Sequence, residues 1–235
     1  GVVEHADRRD DQEQEQERIV ASDAGSLVVE AGAGAAKTTT LGLYAGARSR
    51  SRILYLAFNK SIQLEAAARM PPNVNCRTTH SIAWRKATEL FGGEASQRVG
   101  KTYASSVART FRCGPLVATA ALQAIQNWCG SLSSQIDASH VPTDIAERLA
   151  DPGSVVEIAR ATWARMCRPD GGELRLPHDG YLKLFQMEEP MLRGQDLVAV
   201  DEAQDLNMCT YDIVRRQCGG LVLVGDSAQQ IFAFR

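Results

Sequence analysis

The sequence predicts an α/β protein in which a parallel sheet is flanked by helices and interrupted by an inserted all-helical subdomain. Short apolar runs alternate with helix-forming segments early in the chain, and this alternation then stops for roughly a hundred residues. Two further apolar runs follow, at residues 197–200 and 221–224. Strands that alternate with helices are typical of right-handed βαβ crossovers and therefore of a parallel sheet.

The composition is that of an ordinary globular protein. The 235 residues suit one large domain or two modest ones, and a hydrophobic fraction of 44% is enough for a sizeable core. The net charge is −2 and the pI is about 6.1, so no overall positive field attracts nucleic acid. Any contact with DNA must therefore be made by a local groove.

Cysteine usage and the N-terminal sequence indicate an intracellular protein. The six cysteines include no C-x-x-C pair and the four histidines lie at no ligand spacing near them, so we expect reduced thiols and no zinc site. The N-terminus is unlike a signal peptide and no apolar run has membrane-spanning length, so no membrane partner is expected. The start at Gly1 and the stop at Arg235 indicate a piece of a longer protein.

The elements are predicted in chain order. Residues 1–15 form a polar lead-in, a short helix begins near Gln16, and strands at 27–29, 53–57 and 74–78 alternate with helices at 38–47 and 61–70. Further helices are predicted at 116–129, 143–150, 154–168 and 180–187, and residues 154–157 fit a capping box. The late runs at 197–200 and 221–224 are nearly all apolar, as strands buried on both faces should be.

The most informative stretch is a glycine-rich turn within residues 27–40, which read LVVEAGAGAAKTTT. Gly32 and Gly34 let the backbone curl so that successive N–H groups point inward and form a cradle for phosphate. Lys37 then reaches the β- and γ-phosphates of a nucleotide, while the Thr38 hydroxyl binds Mg²⁺ at the start of the next helix. The predicted cradle consists of Ala31, Gly32, Ala33, Gly34, Ala35, Ala36, Lys37, Thr38 and Thr39.

The cradle departs from the usual pattern G-x-x-x-x-G-K-[ST] at two positions. Ala36 stands where glycine normally precedes the lysine, and Ala31 replaces the first glycine. A Cβ at such a position crowds the phosphate or strains a backbone that needs positive φ, so Ala36 is a reason to expect weaker nucleotide binding. From this stretch alone, an ordinary strand–turn–helix is the competing interpretation.

Acidic residues follow both late strands. Asp201 and Glu202 come directly after residues 197–200, and Asp226 follows residues 221–224. Ligands of open α/β sheets bind beyond the carboxyl ends of the strands, so these acids and the cradle are expected to share one edge. One carboxylate of the adjacent pair can hold Mg²⁺ through its water shell while the other orients and deprotonates the attacking water. The simpler alternative is that both acids cap the next helix.

Residues 201–205 read DEAQD, and with this motif the chain resembles the N-terminal half of a superfamily 1 DNA helicase of the UvrD type. Segments that match the family in order and spacing are AFNKS at 57–61, TTHS at 78–81 and VGDSAQQIFAFR at 224–235. The resemblance spans residues 12–235. The wording HDGYLKLFQ at 178–186, followed by LVAVDEAQDLN and QQIFAFR, is most similar to the F-box DNA helicases.

The resemblance implies a P-loop NTPase fold of the RecA-like class that uses ATP and Mg²⁺. It implies that Gln16 reads adenine, that Lys37 and Thr38 bind phosphates and metal, that Asp201 holds the metal and that Glu202 is the general base. Gln204 and Gln229 would sense the γ-phosphate. The implied contacts to single-stranded DNA are Phe58, Asn59, His80, Phe232, Phe234 and Arg235. Aromatic side chains suit this task because stacking on bases does not depend on sequence, although a single Phe58 or Phe232 is more often a core residue.

The domains follow from the same resemblance. A discontinuous RecA-like ATP-binding domain is predicted at residues 16–83 and 190–235, and the helical insert at 84–189 is predicted to be an accessory subdomain placed over the single-strand/double-strand junction. The missing partner is a second RecA-like domain of the same parent chain, which normally supplies an arginine to the ATP site. Without it, this piece is not expected to unwind DNA.

Two functions of different classes follow. The first is the ATP-binding and single-stranded-DNA-binding half of a 3′-to-5′ helicase in DNA repair and recombination control, which would be nuclear if the F-box resemblance holds. The second is a degenerate, non-catalytic nucleic-acid-binding or interaction module, which is suggested by Ala36 in place of the usual glycine. The set of Lys37, Thr38, Asp201 and Glu202 argues against degeneration. A transporter-type ATPase is a third interpretation, but its expected signature is missing.

Overall fold

A computed structural model describes residues 14, 16–22, 26–30, 37–148, 153–217 and 219–225. The chain divides into two compact units. The sheet unit comprises residues up to Thr79, Met191–Leu206 and the residues from Val214 onward, and the helical unit comprises His80–Pro190 and Asn207–Ile213. The assignment of an ATP-binding domain and an accessory subdomain to these regions stays a prediction.

The described part of the sheet unit contains five strands. They are β1 (Ser26–Glu30), β2 (Ile53–Ala57), β3 (Val74–Thr78), β4 (Leu197–Val200) and β5 (Gly220–Gly225). Their order across the sheet is β1-β5-β4-β2-β3, and each neighbouring pair is parallel. The predicted α/β class with a parallel sheet is therefore confirmed, and three strands have the predicted bounds.

Helices of the sheet unit cover one face of this sheet. Residues 16–21 are helical (α1), and α2 (Lys37–Ala47) and α3 (Lys60–Arg69) follow β1 and β2. Alternate strand residues such as Tyr55 and Ala199 share a buried cluster with Leu41 and Tyr44 of α2. Because side chains of a strand alternate between its faces, the intervening residues belong to the opposite face, where Leu56 and Val200 are also buried. Burial on both faces explains why β2 and β4 are apolar throughout.

Helices make up the insert that separates the early strands from the late ones. They are α4 (Thr79–Phe91), α5 (Ala95–Arg98), α6 (Ala104–Phe111), α7 (Pro115–Cys129), α8 (Thr143–Ala146), α9 (Gly153–Met166) and α10 (His178–Met187), and α11 (Met208–Arg215) follows β4. Helix α7 packs against α9, and each of them contains a fully buried alanine, Ala121 in α7 and Ala159 in α9. The predicted all-helical insertion is confirmed.

Two local predictions in the insert were wrong. The helix expected at 143–150 ends at Ala146, because the backbone beyond it turns instead of continuing. The capping box expected at Ser154 does not start a helix there, since α9 begins at Gly153 and so places Ser154 inside its first turn. Both errors lie at helix ends, which sequence patterns define less sharply than helix interiors.

Of the three tryptophans of the insert, Trp128 is buried, while Trp84 and Trp163 are partly exposed. Trp128 is buried, and its ring lies edge-on to that of Trp163 with the centroids 4.8 Å apart. Trp84 is only partly buried and makes an edge contact with Tyr181. No helix among the described residues is both long and apolar enough to cross a lipid bilayer.

Gly219 lies where the chain segments that precede β4 and β5 approach each other closely. A Cβ at this position would overlap the backbone carbonyl of Asp196, and backbone cannot move aside as a flexible side chain can. We expect Gly219→Ala to lower the free energy of unfolding in urea by about 1–3 kcal/mol through this overlap. Gly46→Ala is the control, since Gly46 lies within α2 and a Cβ there would meet no atom within 4 Å. Equal stability of the two variants would contradict this packing.

Candidate nucleotide and DNA site

The candidate site lies at the carboxyl edge of the sheet. Strand β4 ends at Val200, and the next residue, Asp201, still donates its backbone N–H to the carbonyl of Leu56 on β2 at 3.3 Å. A short 3₁₀ turn, Ala203–Asp205, follows. The acids thus leave the sheet beside the end of β2, as expected for residues at the ends of adjacent parallel strands.

Lys37, Glu202 and Gln204 meet at one carboxylate oxygen. The Lys37 ammonium lies 3.2 Å from Oε2 of Glu202, and the Gln204 amide donates to the same oxygen at 2.6 Å. The Lys37 side chain is 11% exposed and that of Glu202 is 33% exposed, so solvent screens this pair only in part. The structure therefore brings together a cation, a carboxylate and an amide that the sequence analysis had assigned to one site.

The backbone at Glu202 adopts a left-handed conformation, with φ of 51° and ψ of 47°. A residue with a side chain pays of order 1 kcal/mol or more for this geometry, and such strain is concentrated at functional sites. The Glu202 N–H also donates to Oδ1 of Asp201 at 2.9 Å. The strained turn explains how two adjacent acids serve different places, since Asp201 stays in the sheet while Glu202 reaches Lys37.

Asp201 is held by a tyrosine that the sequence analysis missed. Tyr55, at the centre of β2 and 1% exposed, donates its hydroxyl to Oδ2 of Asp201 at 2.5 Å. Burial, with the nearby Asp201 carboxylate, raises the pKa of Tyr55 far above its ordinary value, while a hydrogen bond with the Thr38 side chain acts in the opposite direction. The phenol therefore keeps its proton and remains a donor.

Two oxygen groups of the candidate site suit a magnesium ion. Asp201 offers a carboxylate at the edge of the sheet, and Thr38 offers a hydroxyl beside Lys37 on the first turn of α2. Hydroxyl and carboxylate oxygens are the donors that Mg²⁺ prefers, and this ion usually takes only one or two protein ligands beside substrate phosphates and water. Among the described residues, no group of three or more His, Cys, Asp or Glu side chains could hold a metal alone.

Three predicted DNA contacts fall on described residues. Phe58, directly after β2, is 59% exposed, so core packing does not account for it. Asn59 caps α3, and its side-chain oxygen accepts the N–H of Ile62 at 2.9 Å. His80, in the helical unit, lies 3.0 Å from Asp179 and lowers the pKa of that carboxyl group chiefly through their hydrogen bond. Asn59 and His80 thus already have partners within the chain.

Of the remaining candidates, the structure describes Gln16 and Thr39. Gln16 is half-buried in α1, and Thr39 is exposed on the first turn of α2. The candidates that lie outside the described residues are Ala31, Gly32, Ala33, Gly34, Ala35, Ala36, Gln229, Phe232, Phe234 and Arg235. All the residue assignments in the site stay predictions.

The shielding of the Lys37–Glu202 pair can be measured against an exposed pair of equal length. Arg52 and Asp196 are also separated by 3.2 Å, but their side chains are 67% and 45% exposed. A double-mutant cycle in urea with Lys37→Met and Glu202→Gln should give a coupling energy above that from Arg52→Met and Asp196→Asn, for which about 0.2–1 kcal/mol is typical. A smaller coupling at Lys37–Glu202 would mean that the pair is open to solvent.

Comparison with known proteins connects this geometry with a family. The model of a family described as "AAA domain" matches residues 14–235. The chain is 34% identical to F-box DNA helicase 1 of Gallus gallus over 244 aligned positions, which cover 94% of this chain and 24% of that protein. It is 26% identical to F-box DNA helicase protein 1 of Schizosaccharomyces pombe over 230 positions, 89% of this chain and 26% of that protein.

The chain thus spans about a quarter of the length of these curated relatives. The matches confirm the predicted resemblance to the N-terminal part of a superfamily 1 helicase, and they agree with the P-loop NTPase fold of the sheet unit. The chain belongs to the AAA domain family.

Proposed function

We propose that this chain is the ATP-binding and single-stranded-DNA-binding half of a 3′-to-5′ DNA helicase that acts in DNA repair and recombination control. The observation that carries the proposal is the meeting of Lys37, Glu202 and Gln204 beside an Asp201 that is held by Tyr55. Two relatives that bear the name DNA helicase support DNA as the partner and a nuclear location.

The ATP site follows from this geometry. Lys37 is the cation for the β- and γ-phosphates, and its ammonium group pairs with the Glu202 carboxylate in the structure. Once Lys37 turns to phosphate, Glu202 keeps its bond from Gln204 and is free to orient and deprotonate water. Thr38 and Asp201 would hold Mg²⁺, which supplies charge neutralisation for the leaving phosphates.

Residues beyond this group complete the proposed ATP site. Gln16 reads adenine, and residues 31–36 form the backbone cradle around the phosphates. Gln229 senses the γ-phosphate together with Gln204. An arginine from a second RecA-like domain of the same parent protein completes the charge stabilisation.

The DNA site is proposed along the segment that follows β2. Exposure of Phe58 supports a stacking role. A base can stack on a solvent-exposed ring without any rearrangement of the protein core. Asn59 and His80, with Phe232, Phe234 and Arg235, are the further proposed contacts. The helical unit is proposed to lie over the single-strand/double-strand junction.

The second candidate is a degenerate module that keeps the fold without ATP turnover. Ala36 favours it, and so does the use of the Asn59 and His80 side chains within the chain itself. Against it stands the geometry of Lys37, Glu202 and Gln204, because a site without a ligand has no need to gather these groups at one oxygen.

Nucleotide binding separates the two candidates. We expect a fluorescent ATP analogue to bind in the presence of Mg²⁺, and Lys37→Ala to weaken binding at least about tenfold because the phosphates lose a charge-assisted partner. Lys101→Ala, which removes an exposed lysine of the helical unit, is the matched control and should leave affinity unchanged. The measurement is fluorescence anisotropy, repeated with single-stranded DNA present.

Ala36→Gly completes this experiment. A gain in affinity that turns a non-binding protein into a binding one would support the degenerate module. Binding by the natural chain, lost in Lys37→Ala and little changed in Ala36→Gly, would support the helicase half and show that alanine is tolerated there.

The stacking role of Phe58 gives a separate prediction. Phe58→Ala should weaken binding of a labelled single-stranded oligonucleotide about 5- to 150-fold, the equivalent of the roughly 1–3 kcal/mol that a stacked base contributes. Leu64→Ala is the control, because Leu64 is an apolar residue of α3 with a similar exposure of 56%. Equal effects of the two substitutions would remove Phe58 from the proposed DNA site.

A further inference from the structure

We propose that Tyr55 is a positioning residue for magnesium: its hydroxyl sets the orientation of the Asp201 carboxylate, a proposed ligand of the ion. This inference rests on the proposed function, because Thr38 and Asp201 hold the metal only if the chain binds a nucleotide with Mg²⁺. It adds a residue that lies in neither the phosphate cradle nor the acidic motif.

The position of Tyr55 in the sheet makes its hydroxyl a fixed point. Tyr55 lies in the middle of β2 and is aligned with Ala199 of the adjacent β4, two residues before Asp201. Its ring belongs to the buried cluster between the sheet and α2, where Ala199 leaves room for it. A tyrosine ring in a close-packed interior has little freedom, so the hydroxyl at its end is held where the surrounding strands place it.

Both oxygens of the Asp201 carboxylate are engaged by donors on different sides. Oδ1 accepts the backbone N–H of Glu202 at 2.9 Å, and Oδ2 accepts the Tyr55 hydroxyl at 2.5 Å. Two donors on two oxygens determine the plane of the carboxylate, which one donor alone would leave free to rotate. Since Asp201 is only 6% exposed, water has little access to replace either donor.

The Tyr55 hydroxyl comes from a strand other than the one that leads to Asp201. Asp201 follows β4, whereas Tyr55 lies in β2, the parallel neighbour of β4. A residue whose hydroxyl contacts the ligand of an ion acts by setting the orientation of that ligand.

A purely structural role does not explain the hydroxyl. Phenylalanine would fill the same space in the cluster, and an apolar strand buried on both faces gains nothing from a polar atom that must be desolvated. The hydroxyl is stabilised there by the carboxylate of Asp201, a proposed magnesium ligand. Tyr44 is a suitable control for Tyr55, because it is a second buried tyrosine in the same cluster.

The test is Tyr55→Phe, which removes the hydroxyl and keeps the ring. The affinity for Mn²⁺, used as a probe for Mg²⁺, is measured by electron paramagnetic resonance in the complex with a non-hydrolysable ATP analogue. We expect the variant to need about tenfold more metal for half-saturation, because a carboxylate that has lost a charge-assisted donor is less well oriented. Binding of the analogue in the presence of a chelator should not change, and Tyr44→Phe should behave as the natural protein.

A second measurement shows whether Tyr55 acts through Asp201. The double variant Asp201→Asn/Tyr55→Phe should have the same metal affinity as Asp201→Asn alone. If Tyr55 acted independently of Asp201, the double variant would bind the metal more weakly than Asp201→Asn. Circular dichroism and a thermal melt in the absence of metal report folding. A Tyr55→Phe variant that fails to fold would assign the hydroxyl a structural role and overturn the inference.

The outcomes separate the inference from the proposed function. If the natural protein and Tyr55→Phe bind the analogue with equal metal affinity, the positioning role is wrong while the ATP site stands. If the natural protein binds neither the analogue nor Mn²⁺ in its presence, the proposed function is wrong, and the proposed role of Tyr55 is then wrong as well.

Discussion

The pairing of β2 with β4 is the constraint on which the candidate site depends. The two strands are parallel neighbours, so their carboxyl ends reach the same edge, and the register places Tyr55 beside Ala199 and Leu56 beside Val200. From this register the next residue, Asp201, comes within reach of the Tyr55 hydroxyl. The register matters for the site, since a slip of β2 by one residue would turn Tyr55 to the opposite face of the sheet and away from Asp201.

The left-handed turn at Glu202 separates the carboxylates of Asp201 and Glu202 at this edge of the sheet. Asp201 continues the direction of β4 and remains at the sheet, while the reversal at Glu202 carries the next carboxylate to Lys37. A regular helix starting at Asp201 would keep both acids near its N-terminus, which was the simpler interpretation of the motif. The backbone strain is offset by the bond from the Glu202 N–H to Asp201 and by the contacts of Glu202 with Lys37 and Gln204.

Apolar runs and their order were sufficient to predict the class of the sheet and the edge at which Glu202 lies beside Lys37, because buried parallel strands leave a direct mark on composition. The meeting of Lys37 with Glu202 followed from that edge. Tyr55 was not predicted, because its partner depends on which strands are neighbours, and apolar runs carry no information on strand order. The single tyrosine in a run of aliphatic residues was the available signal, since a buried phenol needs a partner.

The ion pair between Lys37 and Glu202 means that an anion would compete with a carboxylate for one ammonium group. An anion that approaches Lys37 must displace a carboxylate that the fold holds at a high effective concentration, so its affinity for this lysine is lower than for an unpaired ammonium group. The same exchange would release the Glu202 carboxylate. The pairing therefore links the freedom of that carboxylate to the occupancy of Lys37.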